Sequence, residues 1–216
     1  MISFFTSFIR KRNFLKLQKQ ILNSITHFGS KLEIKPGTRI VLMDGSTKED
    51  VIIHENVMLL ECSLYSSHHG RIELGNNVKL GKGSKILCVN NVRIGDNTAI
   101  ATDVTIVDNN NHPINPEFRA FMRTTPHNSD ARSWIHSDNK PIMIGDNCWI
   151  GANVRIQKGV TIGDNAVIAA CSVVTKDVPA NSIAAGNPAK IVKTDIDQIP
   201  APITCKDFNE YISRKA

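Results

Sequence analysis

The chain has 216 residues, with 26 Lys+Arg against 20 Asp+Glu and 41% apolar side chains. That supports one or two domains with a real core, and it excludes a collagen, a globally disordered chain and a disulfide-stapled miniprotein. The +6 net charge invites a nucleic-acid reading, but its distribution argues against one. Residues 1–31 hold Arg10, Lys11, Arg12, Lys16, Lys19 and Lys31 with no acid, and the rest of the chain sums to zero.

At the N-terminus, Phe14, Leu17, Ile21, Ile25 and Phe28 recur every three or four residues, which predicts an amphipathic basic helix within residues 1–30. Phe4, Phe5, Phe8 and Ile9 precede the Arg-Lys-Arg cluster, the reverse of a secretory leader. Two uses stay open: a cap on the end of the fold, or a peripheral contact with anionic lipid at the inner membrane. No apolar run approaches the roughly 18 residues of a membrane span.

The body, residues 31–193, repeats every six residues. Ile144, Ile150, Ile156, Ile162, Ile168 and Val174 are all β-branched; the next residue is mostly small, and the fourth one on is small or short. Upstream, Leu74, Leu80, Ile86 and then Ile94, Ile100, Ile106 keep the spacing, with two residues inserted near Asn90 and Asn91. Ile34–Ile40 and Ile53–Leu59 read as earlier rungs. A period of six is neither the 3.6 of a helix nor the two of a half-buried strand. It fits short strands joined by tight turns, each strand sending one large aliphatic inward. Gly-Asp-Asn at 95–97, 145–147 and 163–165 supplies the turns. Three strands close one triangular coil, and stacked coils pair at about 4.8 Å. The fold class is therefore all-β, a parallel β-helix.

The register breaks between Ile106 and Ile144. The protruding loop, 107–143, contains His112, Pro113, Pro116, Pro126, His127, Trp134, His136 and Pro141. A long interruption of a compact repeat is usually functional, and Phe118, Phe121, Trp134 and Ile135 predict that it packs. The repeat is expected to end by residue 183. Residues 194–216 read as a tail with a short helix near Lys206–Ser213. The five cysteines, Cys62, Cys88, Cys148, Cys171 and Cys205, show no zinc-like spacing, and read as reduced thiols in a cytoplasmic protein.

The stretch 144–192 closely resembles the hexapeptide-repeat acyltransferases, and within them the branch of galactoside, maltose and bacterial polysaccharide O-acetyltransferases. Cys-Trp-Ile-Gly at 148–151, Val-Thr-Lys-Asp-Val-Pro at 174–179 and Gly-Asn-Pro-Ala-Lys at 186–190 carry the resemblance. It implies a left-handed coil, a homotrimer with active sites between subunits, and acetyl-CoA as acetyl donor. His112, in Asp-Asn-Asn-Asn-His-Pro at 108–113, matches the family's catalytic histidine. A sugar hydroxyl needs its proton removed as it attacks a thioester, and an imidazole ordinarily titrates near working pH. Asp108 and Asn110 stand close enough in sequence to orient the ring, and His136 could reach the acceptor.

By the same resemblance Trp149 lies near the active-site tunnel. Ala152 and Ala170 match positions whose backbone groups bond the pantetheine arm. Thr175, Lys176 and Lys190 match positions near the adenosine phosphates, and Lys158 and Lys193 are further candidates. No metal is expected. The segment 80–85 lacks the asparagine of the sugar-specific members, and the loop is longer than in the galactoside and maltose enzymes. These departures favour a surface polysaccharide, a lipopolysaccharide or its precursor as acceptor. The alternatives are N-acetylation of a nucleotide-linked amino sugar and a non-catalytic assembly module.

Overall fold

The computed structural model describes residues 2–202 and 204–213, excepting the side chains of residues 2–11, 206 and 209. The short strands form three faces of a prism. The first face stacks Thr26–His27, Val51–Ile53, Arg71–Leu74, Asn91–Ile94, Ile142–Ile144 and Thr161–Ile162. The second stacks Leu32–Ile34, Val57–Leu59, Lys79–Leu80, Ala99–Ile100, Trp149–Ile150, Val167–Ile168 and Ile183–Gly186. The third stacks Arg39–Met43, Ser63–Ser67, Lys85–Cys88, Thr105–Val107, Arg155–Gln157 and Val173–Val174. All pair in parallel, and the coil is left-handed. A closing hairpin joins Ile183–Gly186 to antiparallel Ala189–Lys193.

The six-residue anchors become three aliphatic ladders down the prism axis. Leu74, Ile94, Ile144 and Ile162 stack on the first face. Leu59, Leu80, Ile100, Ile150 and Ile168 stack on the second, and Leu64, Ile86, Ile106, Ile156 and Val174 on the third. All are buried. Removing such a side chain from water is worth roughly 1.5–3 kcal/mol, and each coil supplies three.

The corner between first and second faces explains Gly-Asp-Asn. Each Asp turns its carboxylate onto a backbone amide of the preceding coil: Asp96 Oδ1 accepts from Asn76 N at 2.7 Å, Asp146 from Asp96 at 2.8 Å, and Asp164 from Asp146 at 2.8 Å. The glycine leaves room for that carboxylate, since a Cβ on Gly75, Gly95 or Gly145 would collide with the oxygen of the next Asp. The following Asn takes the left-handed conformation, φ 58° at Asn97, 54° at Asn147 and 60° at Asn165. Its side chain joins an amide ladder, as in Asn147 to Asn165 at 2.9 Å.

Helix α1 (Ile2–Leu22) covers the first coil through Leu17 and Ile21. It is shorter than the apolar stripe implied. The chain turns at Asn23 and Ser24, Ile25 enters the core from the turn, and the first strand starts at Thr26 rather than after 30. Phe28 is exposed and lies against the His54 ring, 5.7 Å away. The side chains of Phe4, Phe5, Phe8, Ile9, Arg10 and Lys11 lie outside the described residues. Among the described residues no helix is long and apolar enough to cross a membrane. The coil also outlasts residue 183, through the closing hairpin, and a helix spans Lys206–Ser213.

Candidate active site

The protruding loop leaves the third face after Val107 and returns to the first face at Ile142, at the corner between them. Its base is a narrow ribbon. Asn110 N donates to Asp138 O at 3.0 Å, Lys140 N to Asp108 O at 2.8 Å, and Asn109 bridges Asn139. The coils above and below hold this ribbon. Asn90 Nδ2 donates to Asn139 Oδ1 at 2.9 Å, and Lys158 Nζ pairs with Asp138 at 2.7 Å.

Beyond the base, α2 (Pro116–Thr124) begins with Asn115 as its cap, accepting from Phe118 N at 2.8 Å, and with Pro116 in its first turn. Met122 is buried. The Arg132 guanidinium closes the far end, donating to the carbonyls of Met122, Thr125 and Pro126 at 2.7–3.3 Å. The arm then folds back along the corner. Trp134 meets Tyr65 edge-on at 6.4 Å, and Ser133 Oγ lies 3.5 Å from the His68 ring. These contacts make the arm a fixed part of the protein.

His112 sits at the root of the arm, half-buried, its N–H bonded to Asn110 O at 2.7 Å and preceded by left-handed Asn111. Its Nδ1 is buried without a hydrogen-bond partner. Leaving a buried ring nitrogen unpaired costs free energy, because the lost hydration is not replaced. His27 Nε2, in the first coil, is the other such nitrogen among the described side chains.

Asp108 lies elsewhere than the sequence suggested. Its carboxylate is fully buried and accepts from Val89 N, Asn90 N, Asn109 Nδ2 and the Cys88 thiol at 2.8–3.2 Å. Among the described hydrogen bonds none joins it to His112, so it braces the corner. Asn110 contributes backbone groups to the ribbon. His136 Nε2 contacts Asp130 at 2.9 Å and its ring tilts against Phe118 at 6.0 Å. Lys158 is engaged with Asp138 and is not a free cation for a phosphate.

The remaining residues divide between corners. Ala152 and Ala170 stack at the corner between second and third faces, where Cys171 N bonds Ala152 O at 2.8 Å. Thr175 and Lys176 lie exposed at the corner that carries the arm, after the last strand of the third face. Lys190 is exposed on the closing hairpin, opposite Ala185. Neither Lys176 nor Lys190 has an ion pair among the described residues. Trp149 is 60% exposed in the outer row of the second face, between Ala99 and Val167. That face is opposite the corner bearing His112. Sequence reasoning missed Asp138 and Asn139, saw Asn90 only as the place of a two-residue insertion, and read Lys158 as a phosphate candidate where it is an anchor of the ribbon.

Comparison with known proteins places this geometry. The family model for the bacterial transferase hexapeptide (six repeats) matches residues 141–176. Galactoside O-acetyltransferase of Escherichia coli K12 is 40% identical over 134 residues, covering 62% of this chain and 59% of that one. The putative acetyltransferase YJL218W of Saccharomyces cerevisiae is 35% identical over 175 residues, 75% of this chain and 82% of that one. The structure of a galactoside acetyltransferase in complex with coenzyme A superposes with a TM-score of 0.55 at 33% identity, over 76% of this chain and 70% of that one. The chain belongs to the hexapeptide-repeat acetyltransferase family. Its match spans less than two thirds of the Escherichia coli relative's length.

Proposed function

We propose that this protein is an acetyl-CoA-dependent O-acetyltransferase. Its acceptor is a hydroxyl of a sugar in a surface polysaccharide, a lipopolysaccharide or its precursor. One observation carries the assignment: the unpartnered buried Nδ1 of His112 at the root of a braced arm. That nitrogen is sealed from solvent, so the ring is held by one edge and its Nε2 edge is the one left for a substrate hydroxyl.

The chain's groups fit the donor. Ala152 and Ala170 present small side chains where the pantetheine arm would lie. Thr175, Lys176 and Lys190 offer polar and cationic groups for phosphates, the two lysines without an ion pair among the described residues and each acting as a point charge. Acetyl-CoA supplies the activated acyl group and a thiolate leaving group. His112 takes the sugar hydroxyl's proton as its oxygen attacks, then returns a proton to the departing sulfur. Because Trp149 and the His112 corner are on opposite sides of the prism, a site using both closes between two copies. This supports an oligomer, for which the family resemblance implies a homotrimer.

Replacing His112 by Ala should lower turnover at least about a hundredfold, with coenzyme A binding retained. Unchanged turnover would remove His112 from the mechanism. Coenzyme A should also raise the melting temperature, as any ligand of the native state must; no shift would favour an assembly module. An acceptor panel should include nucleotide-linked amino sugars, and acetylation of these alone would favour N-acetyl transfer. In this reading residues 1–30 also contact anionic lipid. Vesicle binding that survives neutralisation of Arg10, Lys11 and Arg12 would count against it.

A further inference from the structure

A cleft of about 570 Å³ opens on the arm immediately after His112, lined by Pro113, Asn115, Glu117, Phe118, Phe121 and His136. Its volume is within the roughly 300–1,000 Å³ of small-molecule sites. We infer that this cleft seats an uncharged pyranose ring of the acceptor; the inference rests on the O-acetyltransferase reading and names its substrate class more closely.

Three observations converge. The first is an apolar platform: Phe118 and Phe121 meet edge to face at 6.0 Å, and Phe121 is 54% exposed on a helix whose buried contact is Met122 instead. An exposed ring held at a fixed angle suits the C–H face of a sugar. The second is a directional polar group. Asp130 holds His136 Nε2 at 2.9 Å, which fixes the imidazole beside Phe118 and leaves its other nitrogen for a ring hydroxyl. The third is charge. Glu117, exposed and without an ion pair among the described residues, lines the cleft. Arg119 and Arg123 of the same helix do not. A carboxylated sugar, uronic or sialic, would meet Glu117 and the Asp130 carboxylate behind His136. A neutral ring would meet neither penalty.

Pro113, next to His112 in the chain, is the one lining residue adjoining the proposed base, so the seated ring is assigned to the acceptor glycan near its reacting sugar. The capped N-terminus of α2 and the Arg132 clasp preform the cleft, so little ordering cost is left for binding.

The test is calorimetric titration of the intact protein with short maltooligosaccharides and cello-oligosaccharides, and with oligomers of glucuronic or sialic acid, alongside acetyl-transfer kinetics. Neutral oligomers should bind and acidic ones should not. Phe121→Ala should weaken neutral binding and raise the acceptor KM by about tenfold, with the KM for acetyl-CoA unchanged. Glu117→Gln should lower the discrimination against acidic oligomers. Acceptor affinity unchanged in Phe121→Ala would overturn the inference, as would a change of oligomeric state in that variant, which would show that a second copy covers the cleft. Binding of neutral oligomers with no acetyl transfer to any acceptor would instead reject the proposed function and leave the cleft standing.

Discussion

Asp108 Oδ2 accepts the backbone amide of Asn90 at 2.8 Å, tying the root of the arm to the coil beneath it. The same fully buried carboxylate satisfies Val89 N and Asn109 Nδ2. Asp108→Ala would strand several buried donors at once. The expected cost is about 2–4 kcal/mol of stability, read by denaturant unfolding. Turnover should fall while coenzyme A affinity holds, since the donor residues are on other coils. A variant with wild-type stability would show that the corner does not depend on this carboxylate.

The Gly-Asp-Asn corners give a second expectation. Gly95→Ala places a methyl group against Asp146 Oδ1 and the backbone at Gly145 and Asp146. We expect a loss of about 2–3 kcal/mol, far above an ordinary Gly→Ala change at an exposed turn.

Asp96 in the same corner gives a pH dependence. Its carboxyl is held below the usual range, chiefly by the Asn76 side-chain amide, with the Asn76 backbone N–H adding and partial burial opposing. A lowered folded value means the stabilisation is complete above the unfolded value of about 3.9 and disappears as pH falls through the folded value. The melting-temperature gap between wild type and Asp96→Asn should therefore be widest near neutrality and close in acid. A gap that widened in acid would have the wrong sign.

Thiol chemistry separates the interior from the surface. Cys171 and Cys205 are exposed, whereas Cys62, Cys88 and Cys148 are buried. Burial pushes the Cys62 thiol up to about 12, and raises Cys148. Burial and the neighbouring Asp108 charge raise Cys88. An alkylating reagent should label two thiols in the native protein and all five only after unfolding. Mass spectrometry of the native adduct decides it.

Subunit mixing tests whether the site closes between copies. His112→Ala and Trp149→Ala homo-oligomers should each be nearly inactive. Unfolded and refolded together in equal amounts, they should regain roughly a quarter of wild-type activity, because a random assembly reunites an intact His112 with an intact neighbouring Trp149 at that frequency. No recovery would place both residues in one chain's site, and an active Trp149→Ala homo-oligomer would remove Trp149 from it.

Much of the fold could be read from residue spacing because every coil repeats one physical problem. Ile144 and Ile162 are buried for the same reason, and the eye needs only their interval. The stripe through Ile25 misled because the chain keeps its apolar spacing while changing conformation: Ser24 ends the helix, its hydroxyl bonded to Gln20 O, and Ile25 reaches the same core from a turn. The arm was readable as an interruption but not as a shape. Arg132 clasping three carbonyls, or Trp134 lying on Tyr65, are single events that no period announces. His112 is singled out by its resemblance to a motif, and the structure sets it at the root of the arm. Asp108 could not be placed, since nearness in sequence said nothing about which way its carboxylate turns.

The coils are not all the same length. Leu80 stacks on Ile100 twenty positions later, below the arm, while Ile150 stacks on Ile168 after eighteen, above it. The surplus falls at the arm's own corner, at Asn90 and earlier at His68 and His69, and these are residues the arm rests on directly or through its neighbours. The arm and its ledge are thus one structural unit. Transplanting residues 108–141 onto a scaffold of uniform eighteen-residue coils would deliver a loop without a seat, and an engineer wishing to move the arm must carry the longer lower corners along with it.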